Sequence, residues 1–156
     1  HISGLPNKQK FFLDTENDLD KAHKQNTPIS LAIISIDHLN SLQDKYGLDA
    51  ADATIKSLAS IIPKAFGRFS YARISDSNIA VLLSGLSLDQ ASKLIESFRM
   101  LVEDQIVLMD QISFNFSISS GVFQDNQASI TELLRQADNR LYLAKENGGN
   151  VIWNED

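Results

Sequence analysis

Apolar residues recur along this chain with two different periods, and each change of period marks an element. After a turn at "GLPN" (4–7), Phe11, Phe12, Leu19 and Ala22 fall near a 3.6-residue repeat, which predicts a helix ended by "QNTP". "ISLAIISI" (29–36) is apolar at nearly every position and β-branched at many, which predicts a central strand buried on both faces. Asp37 follows and is expected to cap a short helix over 38–45 that closes at Tyr46-Gly47. Ile55, Leu58, Ala59 and Ile62 share one face of a longer helix over about 50–64. "RFSYARI" and "NIAVLLSG" read as a hairpin around Ser75–Asn78. Leu88, Ala91, Leu94, Ile95, Phe98 and Leu101 line one side of the next helix. In "ISFNFSISSGVF" Ile112, Phe114, Phe116 and Ile118 alternate with polar residues, which predicts one strand with one buried face. Ser129 with Glu132 three residues later forms a capping box for a helix that Gly148 and Gly149 end, and "NVIW" is a last strand.

The predicted order is α-β-α-α-β-β-α-β-α-β. It implies an α/β (α+β) fold: one mixed, mostly antiparallel sheet of about five strands covered by helices. The 156 residues, 43% of them apolar, suffice for one core and one domain over 1–156. A net charge of −6 argues against a nucleic-acid partner, since phosphate backbones select basic surfaces. There is no Cys, so disulfides and thiolate metal sites are excluded. The three His, at 1, 23 and 38, lie too far apart for a zinc pair on one helix. No apolar run approaches a membrane span and no signal peptide is visible, so a cytoplasmic location without membrane contact is expected. The abrupt opening "HISGLPNKQKF" reads as a piece of a longer protein, whose other parts could carry an anchor.

Several motifs, in order, then resemble one family. "ISGLPNKQKF" resembles L-T-G-L-P-N-R-x-x-F, and "IISIDHLNSLQDKYG" resembles I-D-x-D-x-F-K-x-I-N-D-x-Y-G. "SSGV" resembles S-I-G-V, and "ADNRLYLAKENGGNVI" resembles A-D-x-A-L-Y-x-A-K-x-x-G-x-N-x-V. Over nearly its whole length the chain resembles a GGDEF domain, the diguanylate cyclase module. The resemblance implies a palm-like nucleotidyl-cyclase fold. It also implies two GTP-bound domains meeting face to face, with carboxylates holding divalent metals.

The resemblance carries expectations residue by residue. The G-G-D/E-E-F signature falls on Ser75-Asp76-Ser77-Asn78-Ile79, so both glycines and both acids are replaced, and Asp76 stands one residue out of register. The first-strand metal position is Ser35, while Asp37 matches a position that is not a ligand in the family. The guanine-contacting Asn corresponds to Gln43, and the second base-contacting acid is kept as Asp52, which also suits the first turn of a helix. The lysine of F-K is lost at Leu39-Asn40. Lys145 keeps the phosphate-binding lysine, and Gly149 replaces the arginine. The product-binding R-x-x-D site would span Phe66–Phe69, where neither residue is present, so no inhibitory site is expected. Arg68 reads as surface and Arg73 as structural. Asp76 reads as a turn residue.

These replacements lead to an expectation of a degenerate domain that is no enzyme, needs no cofactor and holds no metal. Its role would be regulatory, through a protein partner or an adjacent EAL domain, as in tandem GGDEF–EAL receptors of the FimX and LapD kind. Cyclic di-GMP would then be bound by another domain. The alternative is a GTP-sensing allosteric domain using Gln43, Asp52 and Lys145. An active cyclase would need Asp76 and Asp37 to rebuild the metal site in a new geometry.

Overall fold

The computed structural model describes residues 4–155; His1 and the first part of the opening motif lie outside them. The elements run α1 (Lys8–Gln25), β1 (Ile29–Ile36), α2 (Leu39–Tyr46), α3 (Leu48–Phe66), β2 (Ser70–Arg73), β3 (Asn78–Ser84), α4 (Leu88–Glu103), β4 (Val107–Met109), β5 (Ile112–Phe114), β6 (Ile118–Gln124), α5 (Ile130–Glu146) and β7 (Ile152–Trp153). Five strands form one sheet in the order β2-β3-β1-β6-β7. Only the β6–β7 pair is parallel. The expected fold class is thus the observed one.

β1 lies in the middle, and its composition follows from that place. Ile34 and Ile36 face a core built with α3, α4 and the 107–116 segment, while Leu31 and Ile33 face a second core built with α1 and α5. Each such fully buried side chain contributes about 1.5–3 kcal/mol. β6 packs against α5 so closely that a Cβ on Gly121 would stand 2.1 Å from the Ala137 carbonyl oxygen and 2.3 Å from the Leu141 nitrogen. Only glycine allows that approach.

Four local expectations are corrected. The strand expected over 112–123 is two strands, because Asn115 turns its amide onto the carbonyls of Glu103 and Gln105 and breaks the ladder. Phe114, Phe116 and Ile118 are nevertheless all buried, so the two-residue period reports burial across the break. The first piece pairs instead with β4 in a separate two-stranded sheet. Asp37 does not cap α2: the N-cap residue is His38, in left-handed backbone at φ 55, with no side-chain cap. Leu101 is exposed, and Val102 takes the buried position on α4. At α5 the Ser129 hydroxyl accepts from the Glu132 N–H as expected, but the Glu132 carboxylate bonds Arg135 and Gln136, so the box is half made.

Candidate functional site

The ends of β1, β3 and β6 meet at one edge of the sheet, and every signature position lies there. Ser35 pairs across the ladder with Asn78 on one side and Ser119 on the other. Ser35 is fully buried, and its hydroxyl has no hydrogen-bond partner among the described residues. Between β2 and β3 the chain turns tightly, with the Ile74 N–H donating to the Asn78 carbonyl at 3.0 Å. Ser75 and Asp76 are exposed, Ser77 and Asn78 are half-buried, and Ile79 is buried in the core. None of residues 75–78 has positive φ, so the turn needs no glycine for its backbone.

Arg73 holds this turn from behind. Its guanidinium donates to the carbonyl of Asp76 at 2.7 Å and, through Nε, to that of Ser75 at 3.2 Å. The structural role expected of Arg73 is therefore visible. Behind the turn, Leu5, Ile36 and Ile55 leave a crevice of only about 10 Å³ against Arg73, Asp76 and Ser77.

Asp37 departs furthest from its expected role. It lies in the turn after β1, with its N–H donating to the Ser117 carbonyl at 2.9 Å. Its carboxylate is nearly buried and accepts three hydrogen bonds: from the Ser117 hydroxyl at 2.7 Å, the Ser119 hydroxyl at 2.6 Å and the Asn150 N–H at 2.7 Å. Gly149, at φ +75, makes room for it, since a Cβ there would meet an Asp37 oxygen at 3.0 Å. One signal in the sequence points to this lock. Ser117 and Ser119 sit two apart, as hydroxyls on one face of a strand must.

The lock continues into α4. The Asn150 side chain accepts from Arg99 at 2.8 Å and donates to Glu103. Arg99 grips Glu96 through two bonds of 2.7 Å. The hydrogen bond from Arg99 holds the Glu96 carboxyl below its ordinary value, against a smaller opposing effect of burial.

The other expected positions are scattered around this edge. Gln43 is exposed on α2 and Asp52 is half-buried on α3, two helices that pack together. Lys145 is exposed in the last turn of α5. Phe66, where the inhibitory motif would begin, is fully buried and packs against the Phe98 ring. Arg68 lies over the Phe69 ring, 4.6 Å from its centroid. A divalent metal of the kind the resemblance implies needs charged oxygen ligands. Ser35 and Ser77 offer neutral hydroxyls, and both Asp37 oxygens are engaged, so the donor set does not fit such an ion.

Comparison with known proteins fixes the family and corrects one expectation. The diguanylate cyclase GGDEF-domain model matches residues 1–151. A probable diguanylate cyclase of Escherichia coli K12, DgcT, is 31% identical over 97% of this chain, which spans 34% of that protein's length. The GGDEF domain of FimX from Pseudomonas aeruginosa superposes with a TM-score of 0.88 at 26% identity, covering 99% of this chain and 96% of that one. The active GGEEF domain of a diguanylate cyclase from Vibrio cholerae superposes with a TM-score of 0.87 at 22% identity, covering 97% of this chain and 98% of that one. The expectation that this chain is no enzyme is overturned by these findings: the matching family is one of cyclases, and the fold is theirs. The chain belongs to the diguanylate cyclase GGDEF-domain family.

Proposed function

We propose that this chain is a GGDEF domain acting as a regulatory and protein-interaction module within cyclic di-GMP signalling. In this reading residues 1–156 are one domain of a longer cytoplasmic or membrane-anchored protein. The neighbour is an EAL domain, and cyclic di-GMP binds there. Among the described residues no helix is long and apolar enough to cross a membrane, so in this reading an anchor belongs to another part of the protein.

The observation that carries the reading is the contrast at the sheet edge. The fold of the family is kept throughout, while the signature turn presents Ser75, Asp76, Ser77 and Asn78 and is fastened by Arg73 to its own carbonyls. Such a turn is a rigid surface feature, suited to contact and positioning. The test is made in the full-length protein, where cyclic di-GMP turnover is measured with and without this domain, beside product formation from GTP. A change in turnover on removing the domain is the expected result. Unchanged turnover would overturn the regulatory reading.

A second reading is GTP sensing, favoured by the exposed amide of Gln43 and the half-buried Asp52 on adjoining helices. Calorimetric titration with GTP and Mg²⁺ tests it. Saturable heat that Asp52→Ala abolishes would support it, and no heat would exclude it.

A further inference from the structure

Four of the seven large apolar side chains exposed among the described residues fall within nine positions: Met100 at 54%, Leu101 at 48%, Ile106 at 62% and Leu108 at 78% exposure. Met100 and Leu101 lie in the last turn of α4, Ile106 in the connection that follows it and Leu108 on β4, a strand of the separate small sheet. Isolated exposed apolar residues need no explanation, but a group of this kind on one segment does.

Glu103, inside this stretch, lines a cavity. Asn115, which lines it too, donates to the carbonyls of Glu103 and Gln105 and so holds the connection before Ile106. The cavity holds about 450 Å³ between α2 and the 114–117 segment, with an apolar floor of Leu42, Tyr46, Phe114 and Phe116. Tyr46 and Phe114 are stacked there at 5.1 Å. A cavity of this size and lining accepts an anchoring side chain.

Charge decides what could cover it. From residue 100 to residue 134 the chain has no Lys, Arg or His, and it carries five acids. Glu103, Asp104 and Asp110 are exposed around the apolar group. Of the cations nearby, Arg99 is committed to Glu96, Asn150 and Glu103, and Lys45, on the α2 wall of the cavity with His38, lies over the Tyr46 ring. A second copy would bring the same acids against themselves, and an anionic membrane would be repelled. We infer that the α4–β4 surface docks a basic amphipathic helix of a protein partner. Its apolar face would cover Leu101, Ile106 and Leu108, and its cations would meet Glu103, Asp104 and Asp110. The inference rests on the regulatory reading above and names the chemistry of its partner.

The test uses two synthetic helical peptides, one patterned with Leu and Lys and one with Leu and Glu, titrated against this chain by fluorescence anisotropy. Binding of the Lys peptide alone is expected. It should weaken about tenfold or more in a Leu101→Ser/Ile106→Ser/Leu108→Ser variant and, separately, in Asp104→Lys/Asp110→Lys. These positions are exposed, so circular dichroism should show both variants folded. No binding, or equal binding by the variants, would overturn the inference. So would capture by anionic phosphatidylglycerol vesicles, or self-association in sedimentation, that depends on the same residues. The full-length protein separates the two readings. If removing the domain alters cyclic di-GMP turnover while the triple variant does not, this surface is excluded and the regulatory reading stands. If removal changes nothing, the regulatory reading fails, and the peptide titration still reports on the surface.

Discussion

Two places where glycine could be required behave oppositely in this chain. At Gly121 the α5 backbone lies directly on β6, and a side chain has nowhere to go. At the signature turn, Ser75 and Asp76 stand where the family carries glycines, and the backbone stays at negative φ throughout. A glycine demanded by packing persists, because replacing it disturbs the fold. A glycine demanded only by something approaching from outside can be replaced without disturbing the sheet. The sharpest way to break this comparison is Gly121→Ala. The new Cβ meets backbone, which cannot rotate away, so a loss of more than about 3 kcal/mol is expected in urea unfolding. Gly85, at φ +89 with open space around its Cβ position, is the control: Gly85→Ala should cost about 1 kcal/mol from backbone conformation alone. Equal losses at the two sites would end the argument.

The same contrast applies to carboxylates. Asp37 is buried with three donors on it, whereas Asp76 is exposed on its turn. Asp37→Ala strands two hydroxyls and one backbone N–H, and should cost about 2–3 kcal/mol. Amide exchange at Asn150 and in β7 should rise with it, because the Asn150 N–H donates to Asp37. If Asp37→Ala left stability unchanged, the lock would be incidental.

The turn itself supplies a smaller test. Arg73→Ala removes the donors held on the Ser75 and Asp76 carbonyls, and should cost about 1 kcal/mol at this exposed site. Asp76→Ala should stay within about 0.5 kcal/mol, as surface substitutions usually do. A larger loss for Asp76→Ala than for Arg73→Ala would show that the Asp76 side chain, and not the arginine, organises the turn.

Much of this molecule is legible in its apolar periods. The uninterrupted run of β1 reports a strand covered on both faces, and the 3.6 period of α1 and the one-sided pattern of α3 report one face each. The break between β5 and β6 is not legible, because alternation reports which side chains are buried and says nothing of which strand lies alongside. Asp37 escapes the sequence for a related reason. A carboxylate before a helix is a common cap, and only the fold reveals that Ser117, Ser119 and Asn150 reach it from about 80 residues and more away in sequence. At the site, the alignment of motifs places Ser35, Ser77 and Asn78 at one edge, and the ladder shows Ser35 and Asn78 as direct partners. Their side chains alone do not exclude an enzyme, since family membership rests on the whole chain.

The smallest effect concerns the far end of the Asp37 lock, where Arg99 grips Glu96. Glu96 is almost half exposed, so screening leaves the pair worth only a few tenths of a kcal/mol, and Glu96→Gln should destabilise by about that much near neutral pH. The sign with pH follows from the direction of the shift. The Arg99 hydrogen bond lowers the folded-state value, so the contribution is complete above the unfolded-state value of about 4.3. It is lost as pH falls through the lower folded-state value, when Glu96 protonates in the native protein as well. The difference in unfolding free energy between wild type and Glu96→Gln should therefore shrink as pH falls from neutral into the acid range below the unfolded-state value. A difference that stayed constant across this range would mean that the amide fails there for its shape and not for its missing charge, and that the lock ends at Asn150.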